Sequence, residues 1–229
     1  MKVQIYEIRS VEDAKKVIEA GADHIGVPYA EVPKYPGHVT CEEAKEIFEV
    51  VPSDVLKIGL TISEDLEEIL RNFSVVVPDV LHLSGDIEGI TPDQIKTLKE
   101  KVPGLKIMQA IPVYQDVPLE DQKALDYVKE YERVSDYFLI DTKVVSENVI
   151  GATGKVHDWN IDRAIVDSTD VPCIIAGGLS SENVAEAIRI SKPYGVDSFT
   201  STNYDEIHDE KRIKDPDKVK AFVEAARNA

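Results

Sequence analysis

The sequence predicts a closed (β/α)8 TIM barrel. Short β-branched runs alternate with amphipathic helical runs along the whole chain, the pattern of a parallel sheet covered by helices. Eight runs of each kind can be drawn, and eight strands fit a closed barrel. The 229 residues suffice for one such barrel, which typically takes about 250 and can be built from about 200. The strand runs are 2–7, 23–28, 56–62, 79–83, 105–111, 136–141, 172–176 and 195–200. The helical runs are 11–20, 41–51, 64–72, 92–102, 119–133, 159–168, 181–191 and 216–227. One domain spanning 1–229 is the simplest count.

Several helices announce their starts. Ser63, Thr91, Asp158 and Ser180 precede helical runs as N-caps, most with acidic residues in the first turn, where they meet the positive end of the helix dipole. Gly21 after Glu19-Ala20 fits a C-terminal stop. Three longer stretches, 29–40, 112–118 and 142–157, all follow strands, which puts them on the C-terminal face where such barrels carry their sites.

Composition narrows the partners. The net charge of −17 argues against nucleic acid or an anionic membrane, because phosphate backbones are held by Lys and Arg. No apolar run approaches the roughly 18 residues of a membrane span. The opening Met1-Lys2-Val3-Gln4-Ile5 reads as a strand, not a signal peptide, so the expected location is the cytoplasm, for a monomer or homodimer. Cys41 and Cys173 form neither a metal spacing nor a redox pair, and Cys173 reads as a small buried hydrophobe. The five histidines show no ligand spacing. No metal and no cofactor are expected.

The best local signal for function is the run 176–183, Ala-Gly-Gly-Leu-Ser-Ser-Glu-Asn. An apolar strand ends in Gly177 and Gly178, and a helix follows. Glycine lets backbone N–H groups approach an anion without a Cβ in the way, and a helix N-terminus adds partial positive charge. Strand eight ends at Thr200 and Ser201, which bring hydroxyls and further N–H donors. Loops after strands seven and eight are the common phosphate site of these barrels. The predicted ligand is a small phosphorylated metabolite.

These segments resemble phosphoribosylanthranilate isomerase, nearly end to end. Gly151-Ala-Thr-Gly-Lys-Val-His-Asp-Trp159 is similar to that family's Gly-Gly-Thr-Gly-Lys-x-Phe-Asp-Trp motif, and 175–187 to its phosphate loop. Leu83-Ser-Gly-Asp86 is similar to its Leu-His-Gly-Asp, and Gly195-Val-Asp197 and Lys214-Asp215 to its last strand and helix start. The resemblance implies a ribulose-phosphate-binding barrel and an Amadori rearrangement, with Asp141 as general acid. The departures are specific. The family's Lys-Ile-Cys-Gly-Ile-Thr, whose cysteine is the general base, is here Gln4-Ile-Tyr6-Glu7-Ile-Arg9. Its Ser-Pro-Arg-Tyr-Val, whose arginine meets the anthranilate carboxylate, is Tyr35-Pro-Gly37-His38-Val.

The retained phosphate motif with the altered base predicts an isomerase or epimerase of a phosphorylated sugar derivative. Two alternatives stand beside it: phosphoribosylanthranilate isomerase itself, in tryptophan biosynthesis, and a barrel that binds a phosphometabolite without turnover. Isomerisation needs one group to take a proton and another to give one. Asp141 is the expected acid, with Tyr6 and His82 as its expected partners. Alternation places Gln4 and Tyr6 on one face of strand one and Glu7 on the other, and it turns His82 and Ser84 inward on strand four. Gln4, Ser84, Gln109, Lys155 and His38 are the expected substrate contacts.

Overall fold

Eight parallel strands pair in chain order and the last pairs back to the first, which closes the barrel. They are β1 (Lys2–Tyr6), β2 (His24–Ala30), β3 (Leu56–Thr61), β4 (Val80–Leu83), β5 (Lys106–Tyr114), β6 (Tyr137–Lys143), β7 (Cys173–Ile175) and β8 (Gly195–Ser198). A two-residue strand, Val39–Thr40, adds to the end of β2. The helices are α1 (Val11–Glu19), α2 (Cys41–Glu49), α3 (Leu66–Phe73), α4 (Pro92–Lys101), α5 (Ala124–Tyr131), α6 (Trp159–Asp167), α7 (Val184–Ser191) and α8 (Pro216–Arg227). This computed structural model describes residues 1–33, 35, 37–143, 157–204 and 213–229.

The strand register sorts side chains into two layers. Tyr6, Ile58, Val80, Met108, Tyr137, Leu139, Ile174 and Ala176 fill the barrel, and a larger apolar cluster lies between barrel and helices. Most strand residues are therefore buried on both faces, which is why the strands read as continuous apolar runs.

Local chemistry moves several predicted boundaries. The α3 cap is Asp65, whose carboxylate accepts from Glu67 N, while the Ser63 hydroxyl is spent on Glu68. Thr91 and Asp158 cap α4 and α6 as predicted, and Gly21 ends α1 at φ +97. The expected helix 119–133 begins instead with a 3-10 turn, Leu119–Asp121. Gln122 separates that turn from α5 because its side-chain amide bonds Tyr114 and Val117 and holds the loop closed. β5 and β6 run further than predicted, with Pro112, Val113 and Tyr114 paired to Asp141, Thr142 and Lys143. The extension lifts Asp141 onto the C-terminal rim on a rigid ladder.

Candidate active site

Beyond β7 the chain turns through Gly177 at φ +83 and Gly178 at φ +65, the left-handed region that strains residues with side chains. A Cβ on Gly177 would overlap Thr142 Oγ1 and would come within 3.1 Å of His157 Nδ1 and 3.4 Å of Asp141 Oδ1. The missing Cβ is what lets this turn press against the end of β6. Asn183 braces the other side: its Nδ2 donates to the Gly178 carbonyl at 3.1 Å and its Oδ1 accepts from Ser180 N at 2.8 Å. The Ser198 hydroxyl, at the end of β8, donates to the Leu179 carbonyl at 3.1 Å and ties the two loops together.

Gly177, Gly178, Thr200 and Ser201 thus line one small cleft, together with Asp141 and Asp197. The backbone N–H groups of these four residues are not engaged by any described acceptor. One detail differs from expectation. Ser180 does not cap a helix at 181. A turn fills 181–183 and α7 starts at Val184, so the donors facing the cleft belong to the glycine turn and not to the helix terminus. Ser180 Oγ instead accepts from Glu182 N.

Lys214 lies behind the other wall, fully buried. Its ammonium donates to the Phe199 carbonyl at 3.2 Å and to Thr202 Oγ1 at 3.4 Å, and sits 5.1 Å from the centre of the Phe199 ring. It fixes the 3-10 turn Thr200–Thr202 and sets a positive charge beneath it, in a protein that is otherwise strongly acidic. Its place in the family-like Lys-Asp pair was its one sequence signal.

Asp141 is half-buried where it borders the cleft. Burial pushes its carboxyl up to about 6, against the Thr142 N–H that donates to its Oδ1 at 2.7 Å. Asp197, which sequence reasoning did not single out, shares the cleft. Burial first, and then the neighbouring Asp141, drives it well above the usual carboxylate range. Its inward parity on β8 was the available signal. Gln4, an expected substrate contact, is committed elsewhere. Its Nε2 donates to Asp197 Oδ1 at 3.2 Å and its Oε1 faces His24 Nδ1 at 3.2 Å, so it braces Asp197 and is not free for a ligand.

Tyr6 and His82 do point inward, and they meet. The phenol oxygen lies 2.6 Å from His82 Nδ1. Burial raises the phenol well above 10 and lowers the imidazole to about 3. Both are neutral at physiological pH and neither is tuned to exchange a proton there, which counts against the expected base role of either. Glu7 departs from simple alternation. β1 ends at Tyr6, and Glu7 takes φ +63, so its carboxylate pairs with Arg9 beside Gly37 in the loop after β2.

The family model for N-(5'-phosphoribosyl)anthranilate (PRA) isomerase matches residues 3–225. The chain belongs to the PRA isomerase family. It is 33% identical over 230 residues to N-(5'-phosphoribosyl)anthranilate isomerase 2 of Methanosarcina mazei, covering 100% of this chain and 95% of that one. It is 33% identical to the enzyme of the same name from Methanocella arvoryzae, covering 99% and 98%. The PRA isomerase structure from Pyrococcus furiosus superposes with a TM-score of 0.80 at 27% identity over the full length of both chains. A PRA isomerase solved with reduced 1-(o-carboxyphenylamino)-1-deoxyribulose 5-phosphate gives 0.75 at 26% identity, again over both full lengths.

The remaining expected contacts of this PRA isomerase family member separate clearly. Ser84 is half-buried just past β4, with its N–H on the Thr61 carbonyl. His38 is half-buried in the loop after β2, its ring 5.4 Å from that of Tyr35. Both occupy the C-terminal face. Gln109 does not: it pairs with Leu83 and Phe138, which face the helices, and its amide donates to the Ala110 carbonyl. Its neighbour Met108 takes the inward position, so the expected contact at 109 is wrong by one residue of strand parity. Lys155 lies outside the described residues. No helix among the described residues is long and apolar enough to cross a membrane.

Proposed function

We propose that this protein converts N-(5'-phosphoribosyl)anthranilate into 1-(o-carboxyphenylamino)-1-deoxyribulose 5-phosphate. The observation that carries the reading is the single cleft in which Asp141, with its carboxyl raised to about 6, adjoins the glycine turn and the end of β8. The backbone amides of Gly177, Gly178, Thr200 and Ser201 hold the phosphate, and Lys214 beneath them offsets its charge. The phosphate then serves as a handle that fixes the sugar over Asp141.

The rearrangement opens the ribose ring and moves a proton from C2. Asp141 gives a proton to the ring oxygen as the C1–O bond breaks and its electrons pass to oxygen. The anthranilate nitrogen stabilises C1 as an iminium. Loss of the C2 proton forms an enolamine, and tautomerisation yields the ketone. A carboxyl near 6 is protonated often enough at neutral pH to serve as the acid. Tyr6 and His82 act together as a neutral hydrogen-bonding floor.

The reading places the enzyme in the cytoplasm, as a monomer or homodimer, with no cofactor. The test is direct. Purified protein should convert N-(5'-phosphoribosyl)anthranilate, and the gene should rescue a tryptophan auxotroph that lacks this step. Asp141→Asn should abolish rescue while leaving phosphate affinity nearly intact. Thermal stabilisation by the substrate without conversion would instead support a binding-only barrel.

A further inference from the structure

A buried polar chain stands behind the glycine turn and has no part in the reaction as written above. His157 Nε2 lies 2.6 Å from Asp162 Oδ1 on α6, and His157 Nδ1 lies 2.8 Å from Thr142 Oγ1. All three residues are buried, Asp162 and Thr142 completely. Thr142 is the neighbour of Asp141 and gives its N–H to Asp141 Oδ1 at 2.7 Å. Thr142, His157 and Asp141 are also the three groups that a Cβ on Gly177 would meet. One imidazole therefore touches both the support of the acid and the back of the phosphate turn.

This arrangement is expensive as a purely structural element. Asp162 Oδ2 is buried with no hydrogen-bond partner among the described residues. Leaving such an oxygen unsatisfied costs about 1–3 kcal/mol, and apolar replacements for buried ion pairs are often neutral or stabilising.

We propose that His157, clamped by Asp162, is a positioning residue that fixes Thr142 and through it the orientation of the Asp141 carboxyl against the phosphate turn. The proposal rests on the isomerase reading, in which Asp141 is the acid. Burial opposes charge on His157, but Asp162, through its charge and hydrogen bond, together with Asp141 and Asp158 raises the imidazole pKa, while burial raises the Asp162 carboxyl as well. Asp141 thus faces His157 and Asp162 on one side, Asp197 on β8 and Tyr6 on β1, and His157 also feels Asp158. An imidazolium here favours the Asp141 anion, so loss of its charge moves the Asp141 titration upward.

Two variants separate charge from placement. His157→Gln keeps polar partners for Thr142 and Asp162 without the charge. The paired change His157→Phe with Asp162→Leu removes the chain and leaves no orphaned buried charge. Asp141 is followed by carboxyl 13C NMR, which needs no turnover. Turnover and KM of the substrate, and the affinity of inorganic phosphate, are measured alongside. We expect an upward-shifted Asp141 titration in His157→Gln. In the paired variant we expect kcat to fall roughly ten- to a hundredfold, as a misplaced catalytic group does, with phosphate affinity held within about threefold. A folded paired variant with unchanged kcat overturns the proposal. If that variant does not fold, an unmoved Asp141 titration in His157→Gln overturns it. A wild-type protein without activity on N-(5'-phosphoribosyl)anthranilate sinks the isomerase reading alone, because the titration still reports on the positioning chain.

Discussion

The Tyr6 hydroxyl reaches His82 Nδ1 at 2.6 Å and so joins β1 to β4, two strands that do not pair with each other, across the barrel interior. The contact depends on Gly26, because a Cβ there would overlap the Tyr6 ring. Burial moves the two pKa values apart and keeps both groups uncharged; in the Nε2–H tautomer of His82 the phenol donates and Nδ1 accepts.

Tyr6→Phe removes the donor and leaves His82 Nδ1 unpaired next to an Nε2 that already has no partner among the described residues. We expect a loss of about 1–3 kcal/mol in urea unfolding, the cost of an unsatisfied buried group. Turnover should fall by less than about tenfold, well short of the 10²–10⁴ expected for an acid or base. A larger loss in kcat would restore Tyr6 to the chemistry.

Asp141 links activity to stability with a definite sign. Its folded pKa of about 6 exceeds its unfolded value, so its contribution to stability is fully present below the unfolded pKa and is lost as pH rises through 6. Asp141→Asn should accordingly be more stable than the parent above pH 6, by up to about 3 kcal/mol, and no more stable near pH 3. Thermal unfolding at the two pH values checks this, with turnover abolished throughout.

Gly177→Ala places a Cβ against Thr142 and holds a side-chained residue at φ +83. Strain of this kind costs about 1–3 kcal/mol. We expect weaker binding of inorganic phosphate and a lower Tm together, because one turn serves both purposes. Isothermal titration and a melting curve on the same sample decide it.

Lys214→Met keeps the buried stem and removes the charge behind Thr200–Thr202. The Phe199 carbonyl and Thr202 hydroxyl lose a donor, at about 1–3 kcal/mol of stability. Phosphate affinity should fall, and its dependence on ionic strength should flatten, as measured by titration at two salt concentrations.

The eight strands and eight helices were legible because burial on both faces leaves apolar runs and caps leave short polar signatures. The shared cleft of Gly177, Gly178, Thr200 and Ser201 was legible for a related reason: a turn pressed against the end of β6 needs a missing Cβ, and the segments after β7 and β8 are neighbours. Gln109 was misread because the reading did not settle which of two adjacent residues faces inward on β5, and that parity follows from register with Leu83 and Phe138. Lys214, Asp197, Glu7 and the His157–Asp162 pair carried almost no local signal. Lys214, Asp197 and Glu7 are defined by a partner distant in the chain or by a backbone angle that alternation does not foresee, and the His157–Asp162 pair by its burial against Thr142 of another strand.

By itself the sequence determined the barrel, the strand ends that border the cleft and the tight glycine turn between them, because these depend on local periodicity and on glycine. Only the tertiary structure decided which polar groups are spent on one another and which remain for a ligand. Burial and proximity across strands set the hydrogen bonds and the proton affinities, and neither can be read along a single segment.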